Sequence, residues 1–237
     1  MKIYYHQFHG ENVLTSPFTK SEVGFDIESL YSLKNIYSGP YTSCPSWKHK
    51  ALRTFVVRSP VDLSFNVEKE SKSIFAPDLP QVVFNEYFKS TFNTDWCSDH
   101  AISIQLSVPR LIFWTKSKNI WVEQRAHPHT ILNNFIGIGG WFNLSTWKRG
   151  VNVAFDILDD KKSVNIKRGD ILYELCFYSN DLNESVVLKR KEPSDKLIQE
   201  FIRTQSVKNY VPKVVHSLPF KNSKKECPFK SLLTNFE

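Results

Sequence analysis

The feature that most constrains the fold is a strict alternation of apolar and polar residues in several short segments. In AISIQLSV (Ala101–Val108), every second residue from Ile102 onward is a branched apolar one. The segments VDLSFNV (Val61–Val67) and VNVAFDI (Val151–Ile157) repeat this pattern. Because successive side chains of a β-strand point to opposite faces, a period of two predicts strands with one buried and one wetter face.

Polar turn segments separate the predicted strands. Lys116–Lys118 lies between LIFWT and NIWVEQ and predicts a β-hairpin, and Arg168–Asp170 predicts a tight turn before ILYELCFY. Aromatic residues make up 14% of the chain, which favours a β-rich core over a helical bundle. We therefore predict a mainly β protein, either a two-sheet jelly roll or a double-stranded β-helix-like sandwich.

One helix is predicted near the C-terminus. After Pro193, Ser194 can cap the segment DKLIQEFIRTQS, whose apolar residues recur at helical spacing. Three regions follow along the chain: an N-terminal irregular and strand segment packed on the core (1–45), a β-sandwich core (46–188), and a C-terminal helix with an extended basic arm (189–237).

The net charge of +7 is concentrated in that last region. From Ser185 to Glu237, eleven Lys and Arg residues stand against five Asp and Glu residues, so the rest of the chain is almost neutral. A basic arm can contact nucleic acid through its phosphates, although no run of five like charges occurs. No apolar stretch is long enough for a membrane span, and no secretory segment is evident, so we expect no membrane association.

The four cysteines are spaced widely, without a CxxC pair. This spacing argues against a zinc ribbon and against a disulfide framework, and it favours free thiols. The glycine cluster GIGGW has the wrong offsets for a dinucleotide-binding loop, and no P-loop pattern is present. We interpret those glycines as bulges and tight turns between sheets.

The segment RAHPHT carries His127 and His129 one residue apart. On a strand, such a pair presents two imidazoles on one side, where both can bind one metal ion. Cupin-type enzymes combine the pair with a nearby acid, but here Asn133 and Asn134 follow, and Pro128 favours a turn. We expect a turn and no cofactor; the alternative is a divalent metal such as iron or zinc, bound by the two histidines.

Other residues suggest binding or chemistry less directly. HGE (His9–Glu11) matches a short element of non-haem iron oxygenases, and Cys97 lies close to His100 as in some thiol nucleophile clusters. Cations beside aromatic rings can pair with anionic groups while the rings stack on planar ones. The predicted ligand-binding residues of this kind are Arg125, Trp147 and Arg149.

The segment KRGVNVAFDILDDKKSVNIKRGDILYELCFY resembles a strand–turn–strand unit of dUTPase-like proteins. In those proteins a glycine precedes one strand and KRGD introduces the next. The aspartate and tyrosine that they carry just before the first strand are not matched by Asn143–Trp147. The resemblance implies a dUTPase-like nucleotide binder as an alternative function.

A broader resemblance involves YTSCPSWKHKALRTFVVRSPVDLSF, GGWFNLSTWKRGVNVAFDI and IKRGDILYELCFYS, which occur in this order within Tyr41–Ser179. They are similar to an uncharacterised protein family of tailed phages of marine bacteria. The resemblance implies a phage origin, with a location in the host cytoplasm or the virion, and it implies no activity.

The leading hypothesis is therefore a phage-encoded accessory protein with a binding or structural role and no catalytic activity. We expect it to act as an oligomer or on a host protein. A metal-dependent enzyme on a cupin-like fold, including an iron oxygenase, is the main alternative.

Overall fold

The computed structural model describes residues 1–8, 25–35, 39–60, 62–68, 73–77, 88–89, 102–147, 150–159 and 162–210. In chain order, the strands in these ranges are β1 (Lys2–Phe8), β2 (Asp26–Ser29), β3 (Thr54–Arg58), β4 (Leu63–Glu68), β5 (Ser73–Phe75), β6 (Phe88–Lys89), β7 (Ile102–Trp114), β8 (Trp121–Arg125), β9 (Phe135–Gly137), β10 (Gly140–Asn143), β11 (Val151–Ile157), β12 (Val164–Ile166), β13 (Ile171–Tyr178) and β14 (Val187–Arg190). The α-helices are α1 (Pro45–Ala51) and α2 (Asp195–Tyr210), and the 3₁₀ helices are Ser32–Asn35, Pro40–Ser43 and Pro128–Asn133.

The strands form three sheets. The first has the order β14-β1-β7-β11-β9, with β6 also paired to β7; the second has the order β10-β8-β13-β3-β2; the third has the order β12-β4-β5. The pairing is antiparallel throughout except between β1 and β14, which run parallel. The strand β1 from the predicted N-terminal segment thus lies inside the first sheet, and the boundaries of the three predicted regions stay predictions.

A continuous apolar core joins the sheets. Phe113 of the first sheet meets Phe177 of the second with ring centroids 6.1 Å apart, and Phe65 of the third sheet lies 6.1 Å from Phe155 of the first. These four rings are fully buried. Burial of large rings between facing sheets is the main stabilising term of a sandwich. The prediction of a mainly β, sandwich-type fold is confirmed.

The alternating segments lie where the pattern predicts. In β11, the odd-numbered residues from Val151 to Ile157 are buried and the even-numbered ones between them are partly exposed. The strand β13 is instead buried along nearly its whole length, since β3 and β8 flank it on both edges. The predicted turn before it is confirmed: the Asp170 amide donates to the carbonyl of Lys167, and Gly169 has a φ of 92°, which glycine adopts without strain.

The predicted hairpin across Lys116–Lys118 is wrong. The strand β7 belongs to the first sheet and β8 to the second, so the polar turn carries the chain from one layer to the other. A polar turn between two apolar strands is compatible both with a hairpin in one sheet and with a crossover between two sheets, because the turn lies at the surface in either case. The strand β7 continues through Pro109. Its pairing with β11 shifts register between Leu106 and Leu111, so Pro109, which has no amide hydrogen, lies outside the residues paired with β11.

The predicted C-terminal helix is confirmed as α2, and its first turn includes bonds from the amides of Leu197 and Ile198 to the carbonyl of Ser194. Phe201 in this helix is fully buried. The short helix α1 was missed, since PSWKHKA contains few apolar residues at helical spacing. The predicted basic arm beyond Tyr210 lies outside the described residues.

The end of β13 is held in place by Arg53, which is buried beside β3. Its guanidinium donates to a set of backbone carbonyls in the segment that leaves β13: Phe177, Asp181, Leu182 and Glu184. A single fixed side chain thereby satisfies the polar groups of a loop and fixes the position of Tyr178 at the end of the strand.

Candidate functional site

The second sheet has one face in the core and one directed away from it, which we call the outer face. Val122 of β8 and Leu175 of β13 are buried in the core. The alternation of β8 therefore places Trp121, Glu123 and Arg125 on the outer face, all of them partly exposed. Helix α1 and the first 3₁₀ helix pack on the β2–β3 side of this face through Ala51, Leu33 and Val56, so polar groups cluster on the β8–β13–β10 side.

An ion pair lies at the centre of the outer face. Arg125 stands directly opposite Glu174 in the β8–β13 register, and its Nε donates to Glu174 Oε2 at 2.6 Å. Arg125 Nη1 lies 3.8 Å from Glu123 Oε2. Burial lowers the pKa of Arg125, but Glu174, together with Cys176 and Glu123, more than offsets this and holds that pKa above its usual value. The guanidinium is therefore a permanent cation between two carboxylates.

An aromatic pair adjoins the ion pair. Trp141 of β10 stands opposite Glu123 and stacks on Tyr178, with ring centroids 5.0 Å apart and planes inclined by 22°. The Tyr178 hydroxyl donates to Glu123 Oε2 at 2.6 Å. Burial, together with Cys176 and Glu123, raises the pKa of Tyr178, so the hydroxyl keeps its proton. We call Trp141, Tyr178, Glu123 and Arg125 together the aromatic–carboxylate face.

Trp141 is 54% exposed although it is a large apolar ring. Its position is nevertheless fixed on one side by Tyr178, whose own hydroxyl is anchored on Glu123. Exposed aromatic side chains that are held in a defined orientation are typical of ligand-binding surfaces. The aromatic–carboxylate face is the candidate functional site.

The predicted turn at RAHPHT lies next to this face. His127 precedes the 3₁₀ helix Pro128–Asn133, and its Nδ1 accepts a hydrogen bond from the amide of His129 at 3.2 Å. Its side chain is 2% exposed, and its Nε2 lies 3.7 Å from Glu174 Oε1. Burial, with the nearby His129, Arg58 and Arg125, lowers the pKa of His127 to about 4, so the ring is neutral at neutral pH.

His127 and His129 do not present their rings to one point as a regular strand would. Their centroids are 5.0 Å apart, and the planes are nearly perpendicular. His127 uses Nδ1 to cap the 3₁₀ helix, while His129 is exposed and lines a cleft of about 190 Å³ with Arg58 and Asp170. Across the residues described, no group of three or more His, Cys, Asp or Glu side chains is arranged to hold a metal ion. Metal binding by the pair stays a prediction.

The remaining sequence-predicted residues lie away from this face or outside the described residues. Trp147 packs on Phe142, with centroids 5.6 Å apart, at the margin of the core and away from the outer face. Arg149 lies outside the described residues, as do His9–Glu11, Cys97 and His100. Arg125 lies on the aromatic–carboxylate face, and the binding role of all three predicted ligand-binding residues stays a prediction.

Sequence reasoning missed Glu174 and Tyr178 as site residues. The alternation of WVEQR does indicate that Glu123 and Arg125 share a face, which was a usable pattern. The mostly apolar and aromatic neighbours of Glu174 in ILYELCFY also mark it as a buried carboxylate that needs a partner. Which partner it has depends on the β8–β13 register, which no local pattern specifies.

Comparisons with known proteins assign no family. No family model matches the chain, and no curated protein matches its sequence. Among solved structures, the native dUTPase of EIAV matches with a TM-score of 0.31 and 11% sequence identity, over 61% of this chain and 84% of that chain. A likeness at this level assigns neither a fold in detail nor an activity to this protein.

Proposed function

We propose that this chain is a binding protein without catalytic activity, and that the aromatic–carboxylate face is its ligand site. The observation that carries the proposal is Trp141, which is exposed and yet fixed by its stack on Tyr178. A fixed ring loses little conformational entropy when a ligand packs on it, so it provides contact area at low cost.

The polar groups of the face support binding rather than catalysis. Arg125 is engaged by Glu174 and Glu123, and Glu123 is engaged by the Tyr178 hydroxyl. Each group is therefore oriented by a neighbour, which favours recognition of a ligand in one geometry. The proton of Tyr178 is held by burial and by Glu123, which makes this hydroxyl a poor general acid.

The proposal retains a phage origin and an accessory role in the host cytoplasm or the virion. Along the described part of the chain, no helix is long and apolar enough to cross a membrane.

A protein partner, either a second copy or a host protein, is part of the proposal. Its support is the exposed apolar tip formed by Ile131 and Leu132, where Leu132 is 83% exposed.

The proposal is tested by a ligand-observed NMR screen against a library of oligosaccharides, nucleotides, peptides and small acids. Trp141→Ala is compared with Phe75→Ala, which removes another exposed ring, on β5 in the third sheet. We expect at least one class of compound to bind the wild type and the Phe75 variant, to lose binding in the Trp141 variant, and to remain chemically unchanged. Binding that is insensitive to Trp141, or turnover of a bound compound, would contradict the proposal.

A further inference from the structure

We infer that the ligand of the aromatic–carboxylate face is a neutral carbohydrate, a chain of uncharged sugars that stacks on Trp141 and forms hydrogen bonds with Glu123 and Arg125. This inference rests on the proposed function and names its ligand class.

The charge of the face disfavours ionic ligands of both signs. Two carboxylates, Glu123 and Glu174, lie against one guanidinium, Arg125, so the surplus is negative and repels phosphate and carboxylate groups. Arg125 Nη1 lies 3.8 Å from Glu123 Oε2, so this carboxylate already has a cation beside it, which disfavours binding of a second cation there. His127 does not change this balance, because burial keeps it neutral.

The aromatic surface suits a flat ligand with an apolar face. One side of the Trp141 indole lies on Tyr178, and the ring remains 54% exposed, which leaves its opposite side as the surface that a ligand can reach. Sugar rings have a face of C–H groups that packs on an indole, and their hydroxyls project sideways from the ring. Indole and phenol side chains combine a large apolar area with few rotatable bonds, which suits such stacking.

The polar groups beside the indole match those sideways hydroxyls. Trp141 and Glu123 are directly opposed in the β8–β10 register, so their Cβ atoms are neighbours on the same face. Glu123 is an acceptor, and Arg125 next to it is a planar donor that cannot lose its proton. An acceptor and a donor side by side can bind two adjacent hydroxyl groups, one donating and one accepting.

The test uses a glycan array followed by NMR titration of the bound glycans, with the full chain. The array carries neutral oligosaccharides of glucose, mannose, galactose and N-acetylglucosamine in several linkages, together with acidic glycans. Hexalysine and polyphosphate serve as the cationic and anionic probes. Four proteins are compared: the wild type, Trp141→Ala, Trp141→Phe and the matched control Phe75→Ala, each first checked for an unchanged thermal midpoint.

We expect a neutral glycan to bind the wild type and Phe75→Ala equally. Affinity should fall about tenfold or more in Trp141→Ala and by a smaller factor in Trp141→Phe, which keeps a stacking ring. Glu123→Gln should weaken this binding several-fold without reversing the preference for neutral glycans.

Other outcomes overturn the inference. If only hexalysine, polyphosphate or acidic glycans bind in a manner that depends on Trp141, the face is a binding site for another ligand. The proposed function would then hold, and the inference of a neutral carbohydrate would be wrong. The inference is also wrong if no neutral glycan on the array binds in a manner that depends on Trp141. If no compound in the wider library binds in a Trp141-dependent manner, the proposed function falls as well.

Discussion

Arg125 and Glu174 form the ion pair that orders the centre of the outer face. The Glu174 side chain is 9% exposed, and its Oε2 receives the Arg125 Nε at 2.6 Å. The replacement Arg125→Met leaves the Glu174 carboxylate without its cation. Because this carboxylate is nearly buried, water cannot solvate its charge in place of the guanidinium, and the folded state is destabilised. We expect the free energy of unfolding, measured by urea denaturation, to fall by about 2–4 kcal/mol.

Lys162→Met is the matched control, because it removes an ion pair with Asp159 in which both side chains are exposed. That pair should contribute less than about 1 kcal/mol. The double variant Arg125→Met, Glu174→Leu should recover part of the lost stability, since it removes both charges. Equal losses for Arg125→Met and Lys162→Met would contradict the structural role of the pair.

His127 makes the stability of the fold depend on pH. Burial lowers its pKa to about 4 in the folded protein, while the unfolded chain has the ordinary value of about 6.5. Between these values the unfolded state binds more protons, so stability is full above about pH 6.5 and falls as the pH drops towards 4. The total loss is on the order of 3 kcal/mol.

The comparison is wild type against His127→Asn, because asparagine can also cap the 3₁₀ helix but does not titrate. Urea denaturation across this pH range should show the wild type losing stability more steeply than the variant. Two parallel pH profiles would mean that His127 is not held neutral by burial.

At the scale of elements, the edge strand β10 determines where Trp141 stands. A Cβ added to Gly139, just before β10, would lie 2.5 Å from the carbonyl oxygen of Gln124, which is backbone and cannot move aside. A Cβ added to Gly140 would meet nothing within 4 Å. We predict that Gly139→Ala displaces β10 and lowers the free energy of unfolding by about 1–3 kcal/mol, the range for overpacking.

Gly140→Ala is the internal control and should change stability by about 0.5 kcal/mol or less. Thermal or urea denaturation compares the two variants, and ligand binding through Trp141 should weaken in Gly139→Ala alone. If Gly139→Ala leaves the free energy of unfolding unchanged, β10 is not packed as closely on β8 as the structure has it.

Element by element, the sequence predicted strands better than it predicted their partners. The period of two in β11 and β4 is local, so it identified both strands and their buried faces. The pairing of β8 with β13 and β10, rather than with β7, depends on which layer the chain enters after Lys116–Lys118. The polar turn is compatible with both connections, and therefore the Trp141–Tyr178 stack could not be predicted.

For the whole molecule, the segment that the sequence singled out lies beside the candidate site, and the metal prediction for its two histidines stays a prediction. RAHPHT adjoins the aromatic–carboxylate face through His127 and Glu174, and Pro128 correctly indicated a turn. Arg125 lies near Glu174 and Tyr178 because β8 pairs with β13, a strand that is far from it in sequence. Only the assembled second sheet brings these groups together.

The metal alternative is tested on purified protein by elemental analysis for iron, zinc and manganese. Because His127 Nδ1 caps the 3₁₀ helix and the two rings are nearly perpendicular, we predict that His127→Ala and His129→Ala leave the metal content unchanged. A metal present at one ion per chain in the wild type and lost in both variants would instead establish the histidine pair as a metal site.

The central claim is that the aromatic–carboxylate face binds the ligand, and the indole N–H signal of Trp141 tests it most directly. The chain has six tryptophans, and Trp141→Phe assigns the signal by removing it from the ¹H–¹⁵N spectrum. On titration with a compound that binds, we predict that the Trp141 signal shifts progressively while that of Trp147, packed on Phe142, stays in place. A bound ligand that leaves the Trp141 signal unmoved would contradict the account.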